Sequence, residues 1–159
     1  MANIKVFALG GLGENGKNMY IVEVDKHIFI LDAGLKYPDI DMYGVDAVIP
    51  DMTYLVENKD RIEGVFISHG HEDHINALPY LLKQIPTRIY GTHFTISLIE
   101  NLLSDNKMNI KKFKLFRINE NKVLGFVLAC TMGTALLTGC GSDSKKSSSL
   151  AVTEDGLTK

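Results

Sequence analysis

The chain has 159 residues, of which 45% are hydrophobic and 23% charged, and its formal net charge at pH 7 is −2. That length suits one ordinary domain, and the composition is that of a soluble globular protein. The near-balanced charge excludes a broad basic field for nucleic acid or an anionic membrane, and cysteine confined to Cys130 and Cys140 excludes a disulfide framework.

In chain order, MANIKVFALGG carries one lysine before a strand-like run and does not read as a signal peptide. With no cysteine before Cys130, the expected location is a reducing cytoplasm. IKVFALG (4–10), NMYIVEV (18–24) and HIFILD (27–32) read as strands, with Asp25 and Lys26 as a tight turn between the last two. GVFIS (64–68), RIYG (88–91) and FKLFRI (113–118) read as three more. INALPYLLKQI (75–85) has apolar residues at helical spacing. TISLIENLLSDN (95–106) is a second amphipathic helix, with Thr92 or Thr95 available as its cap. Strands first, then strand–helix alternation, predict a mixed α/β (α+β) layered domain.

After Asn121 the pattern changes. KVLGFVLACTMGTALL is a lysine followed by an uncharged run over 123–137, and TGCGSDSKKSSS is small and polar. The expected organisation is a partial catalytic-type domain over 1–121, an apolar segment over 122–140, and a flexible polar tail over 141–159.

HGHEDH (69–74) places three histidines and an aspartate within six positions, directly after the strand GVFIS. Alternate residues of an extended segment project to one side, so His69 and His71 converge on one ion. Asp73 and His74 follow where the loop enters a helix and face a neighbouring position. Two imidazoles suit zinc, and a carboxylate with a third imidazole suits a second divalent ion. A polar loop that merely happens to be histidine-rich is a poor account of so dense a cluster.

HGHEDH fits the H-x-H-x-D-H motif of metallo-β-lactamase-fold hydrolases. The surrounding FALGGLGENGKNMYIVEV, FILDAGLKYPDIDMYGVDAVIPDMTYL and SHGHEDHINALPYLLKQI resemble, more narrowly, the ribonuclease J family of the β-CASP branch, over residues 4 to 120. The resemblance implies a zinc-dependent ribonuclease with exonuclease and endonuclease activity on RNA, two zinc ions, and an oligomer in the intact family. It implies His69 and His71 as ligands of the first zinc, and Asp73 and His74 as ligands of the second. Asp73 is also the candidate catalytic residue, although a carboxylate bound to metal is a weak base and the ligand role is the stronger. Asp32, in LDAG, matches an aspartate that supports the ligands from behind.

The resemblance also implies a third histidine for the first ion, an aspartate that bridges the two, and a further histidine for the second, all C-terminal to the matched region. The sequence has no histidine after His93. The expected fold is therefore an incomplete αββα sandwich with a partial zinc site, and the expected ribonuclease activity is little or none.

GLGENG (11–16) satisfies G-x-G-x-x-G, yet a strand follows at once where a dinucleotide site needs a helix. A tight hairpin loop beside the metal site is the better reading. His93 and His27 read as surface or strand-end residues, the four lysines of KMNIKKFK (107–114) as a solvated stretch, and Cys130 as a buried small residue.

LTGC (137–140) resembles a bacterial lipobox, with Lys122 as basic flank, 123–137 as the apolar stretch of a lipoprotein signal, and Cys140 as the lipidated residue. Its length falls short of a full membrane span. The alternative function is therefore a membrane-tethered, lipoprotein-like chimera in which the N-terminal part is a passenger, membrane-associated through residues 122–140.

Overall fold

Six short runs of β-branched and aromatic residues become the six strands of one sheet in the computed structural model, which describes residues 2–119. In chain order the elements are β1 (Ile4–Gly10), β2 (Met19–Val24), β3 (His27–Leu31), α1 (Thr53–Glu57), β4 (Ile62–Phe66), α2 (Glu72–Ile75), α3 (Leu78–Gln84), β5 (Arg88–Gly91), α4 (His93–Asp105) and β6 (Lys114–Arg117). Single 3-10 turns stand at Lys59–Arg61 and Ile110–Lys112. The expected apolar segment (122–140), the polar tail (141–159), Cys130 and Cys140 lie outside the described residues.

Strand order follows chain order. β1, β2 and β3 pair antiparallel, and β3 to β6 pair parallel. The change of sense follows from the connections. Asp25 takes φ 53° in a two-residue turn, which returns the chain antiparallel, whereas each later link carries a helix and so returns it parallel.

Register turns the period-two alternation into two faces. Phe7, Ile21, Ile30, Val65, Ile89 and Leu115 are partners in one row across all six strands. That row meets Leu55 of α1, Leu78, Leu81 and Leu82 of α3, and Ile96, Ile99 and Leu103 of α4 in one apolar core. The adjacent row, Tyr20, Leu31, Phe66, Tyr90 and Phe116, faces the other way. Along it the Phe66–Tyr90 and Tyr90–Phe116 rings stack at 4.6 and 4.9 Å. The described residues thus form one sheet and one helical layer, which is half of the expected αββα sandwich.

Three elements differ from the sequence reading by more than one residue at an end. The helix expected over 75–85 is two helices, because Pro79 has no N–H with which to continue a ladder back to Ile75, and the chain restarts at Leu78. The strand expected over 64–68 runs from Ile62 to Phe66, which frees Ser68 for the site. α4 begins at His93, with Thr92 as the cap that accepts from Thr95 N at 3.3 Å. α1 was not expected: its five residues are too few for a readable helical period, and Leu55 alone of them is buried. Among the described residues, no helix is long and apolar enough to cross a membrane.

Candidate metal centre

The site lies beyond the C-terminal ends of β3 and β4, the usual position in sheets with parallel strands. Asp32 directly follows β3 and takes φ 60°, a left-handed conformation that short polar side chains tolerate best. Its backbone N–H donates to Phe66 O at 2.9 Å, which locks it against the end of β4. The carboxylate is buried and accepts from Ser68 N at 2.8 Å and Ser68 Oγ at 2.8 Å. It also faces His74 Nδ1 at 2.8 Å.

Hydrogen-bond complementarity assigns the ring tautomers. Asp32 can only accept, so His74 donates through Nδ1 and its Nε2 keeps a lone pair. The single hydroxyl hydrogen of Ser68 goes to Asp32, so Ser68 Oγ accepts from His69 Nδ1 at 2.9 Å. His69 Nε2 then keeps its lone pair, facing His71 Nδ1 at 3.2 Å. One buried carboxylate thereby orients two of the three imidazoles.

The structure brings the four side chains of the cluster together as two pairs. His69 Nε2 and His71 Nδ1 are 3.2 Å apart, and Asp73 Oδ2 and His74 Nε2 are 3.5 Å apart. Two donors about 2.0–2.1 Å from one tetrahedral zinc lie about 3.3 Å from each other, so both pairs have the spacing of donors that share an ion. Among the described residues, no group of three or more His, Cys, Asp or Glu side chains is arranged to hold an ion. The donors fit zinc in kind and spacing, and each pair supplies two of the four positions that a closed site needs.

The pairs differ in support. His69 and His71 are exposed on the loop, whereas Asp73 and His74 are half-buried within α2. Glu72, the remaining carboxylate of the cluster, is turned outward and accepts from Tyr37 Oη at 2.7 Å. That bond holds the Tyr37 phenol above its ordinary pKa.

Sequence reasoning missed the backing of α2. Ala33 N donates to His74 O at 2.8 Å, and Asn18 N donates to Asp73 O at 3.2 Å. Gly34 N donates to Asn18 O at 2.9 Å, so residues 18, 33–34 and 73–74 are tied into one patch. A side chain at Gly34 would place its Cβ 1.5 Å from Asp73 O, and only glycine allows this approach. The signal was present in GKNMY and LDAG, as Asn18 and Gly34 beside the recognised Asp32, yet neither residue type announces a metal site by itself.

The glycine-bearing loop between β1 and β2 leads to Asn18, beside the cluster. It has no helix after it, as the sequence indicated. His93, the first residue of α4, is exposed, and His27 is bound to Glu63 Oε1 at 2.6 Å. Neither joins the cluster. Lys107, Lys111, Lys112 and Lys114 are exposed.

The sequence matches the metallo-beta-lactamase superfamily over residues 12–119. It is 47% identical over 124 residues to ribonuclease J 2 of Staphylococcus saprophyticus subsp. saprophyticus, covering 78% of this chain and 22% of that protein. To ribonuclease J 2 of Staphylococcus aureus (strain NCTC 8325 / PS 47) it is 44% identical over 124 residues, with the same 78% and 22% coverage. The chain thus spans about a fifth of the length of the curated relatives it matches. Among solved structures, the short form of human tRNase Z aligns with TM-score 0.45 and 21% identity, covering 69% of this chain and 42% of that one.

Proposed function

The chain belongs to the metallo-beta-lactamase superfamily, and from that premise we propose that it carries half of a two-zinc site for hydrolysing RNA phosphodiester bonds. The observation that supports this reading best is the pairing of donor atoms, 3.2 Å for His69 with His71 and 3.5 Å for Asp73 with His74, behind a single orienting carboxylate. The similarity to ribonuclease J 2 supports RNA as the substrate and the cytoplasm as the place of action.

Zinc, when bound, supplies a Lewis acid that lowers the pKa of water and offsets charge on phosphate oxygens. The chain's own residues do the positioning. His69 and His71 offer Nε2 and Nδ1 to one ion, and Asp73 and His74 offer Oδ2 and Nε2 to the other. Asp32 holds His74 in the tautomer that leaves Nε2 free, and through Ser68 does the same for His69. Asp73 Oδ1 stays available to receive a proton, which is the catalytic role open to that residue.

With two protein donors per ion, the described residues bind zinc weakly and hydrolyse RNA slowly or not at all. The direct test is purified chain incubated with zinc and single-stranded RNA, with bound metal measured by mass spectrometry. Weak zinc binding that falls on His71→Ala, with no RNA cleavage above buffer, is expected. Zinc-dependent cleavage abolished by His71→Ala would overturn the half-site reading, and no zinc uptake at millimolar metal would overturn the metal reading.

The superfamily match ends at residue 119, two residues before the composition changes. That coincidence supports a further part of the reading: residues from about 122 derive from a lipoprotein-like leader, with LTGC at 137–140 as lipobox. Cell fractionation checks it. A membrane-bound pool lost in Cys140→Ala is expected, and a wholly soluble wild type would refute it.

A further inference from the structure

The pair Asp73 and His74 has a third neighbour of the right geometry. Asn18 Nδ2 lies 3.0 Å from Asp73 Oδ2 and 3.2 Å from His74 Nε2, and those two atoms are 3.5 Å apart. Three polar atoms thus form a nearly equilateral triangle whose edges are those of one face of a metal coordination tetrahedron, about 3.3 Å for zinc with nitrogen and oxygen donors. We propose that Asn18 is a third ligand of the ion held by Asp73 and His74, through its amide oxygen after a half-turn of the amide group. The proposal rests on the reading that Asp73 and His74 hold an ion.

Two features of the surroundings support it. The amide NH2 faces Asp73 O at 3.1 Å, Asp73 Oδ2 and His74 Nε2, and Asp73 O also accepts from Asn18 N at 3.2 Å, so that carbonyl keeps a donor when the amide turns. A cation seated over the triangle would take both side-chain acceptors and turn the amide oxygen inward. The backbone of Asn18 is pinned on both sides, by Asp73 O at 3.2 Å and Gly34 N at 2.9 Å, so its side chain can turn without moving the residue. Gly11 leaves the space for that turn, since a Cβ there would sit 2.7 Å from Asn18 Oδ1. Amide oxygen, carboxylate and imidazole make a mixed donor set that suits zinc or manganese.

The test follows zinc sulfate titration of the full chain by NMR of the histidine ring nitrogens, which reads His74 separately from His69 and His71. In Asn18→Ala the His74 midpoint is expected to rise about tenfold, while the His69 and His71 midpoints stay within twofold of wild type. In Asn18→Asp, where a carboxylate replaces the amide at the third corner, the His74 midpoint is expected to fall about tenfold. This second variant decides the matter if the first fails to fold. Unchanged His74 midpoints in both folded variants, or an Asn18→Asp midpoint above wild type, overturn the ligand role and leave the two-donor reading standing. A wild-type His74 that never responds to zinc removes both.

Discussion

His69 with His71 and Asp73 with His74 come from the same six residues, yet the protein holds them in opposite ways. The first pair sits on an exposed loop with one side-chain hydrogen bond from outside the pair, Ser68 to His69. The second sits in a helical turn that is bonded through backbone to Ala33 and Asn18 and through side chains to Asp32 and Asn18. On the proposed metal reading, the backbone under the second pair is set before an ion arrives, whereas ordering the first pair would cost side-chain freedom. On the proposed reading, a difference in how tightly each pair would bind metal follows from this support, before any third ligand is counted.

The strongest way to break that contrast is Gly34→Ala. The added Cβ meets Asp73 O at 1.5 Å, so the loop and α2 must separate. Chemical denaturation should show a loss of more than about 4 kcal/mol, or no folded protein. Next in size, Asp32→Ala removes the acceptor of His74 and the anchor of Ser68. Calorimetry should find zinc affinity lowered about 10- to 100-fold, with both pairs affected. Ser68→Ala is milder and one-sided: His69 loses its acceptor while His74 keeps its direct bond to Asp32. About a three- to tenfold weakening confined to the His69 and His71 ring signals is expected. Equal weakening of both pairs would erase the contrast.

The smallest effect separates fold stability from the site. Glu23 is buried on the core face of β2, paired with Arg61 and accepting from Tyr54 Oη at 2.8 Å. The Arg61 hydrogen bond first, and that of Tyr54 second, hold its carboxyl below the ordinary glutamate range. A lowered folded-state pKa adds stability that is complete above the ordinary value and is lost as pH falls through the lowered one. Melting temperature should therefore decline with acidification below the ordinary carboxylate range, and Glu23→Gln should flatten that decline without moving either histidine pair.

The strands were readable because their alternation is carried by β-branched and aromatic side chains whose burial decides register, as in MYIVEV and RIYG. α4 was readable for the same reason at helical period, with Thr92 as its cap. α1 and the break before Pro79 were less so, since a five-residue helix and a two-residue gap leave almost no periodic trace. At the site, the four donors and Asp32 stand out by residue type. Asn18 and Gly34 do not, because their contribution is a backbone approach between segments far apart in sequence, and no local pattern encodes it.

That separation has a consequence for how metal and folding are linked. Asn18 and Asp73 are 55 residues apart, and Asp32 and His74 are 42 apart, whereas His69 and His71 are two apart. In an unfolded chain the histidine pair stays close and, on the proposed reading, would retain some zinc affinity, but the second constellation is dispersed. On the proposed reading, zinc at the second pair would act almost wholly on the native state, by about 2.7 kcal/mol at a hundredfold excess over its dissociation constant. Zinc at the first pair is partly cancelled by its hold on the denatured ensemble. The metal dependence of melting would thus report on the side of the site that is built from distant segments.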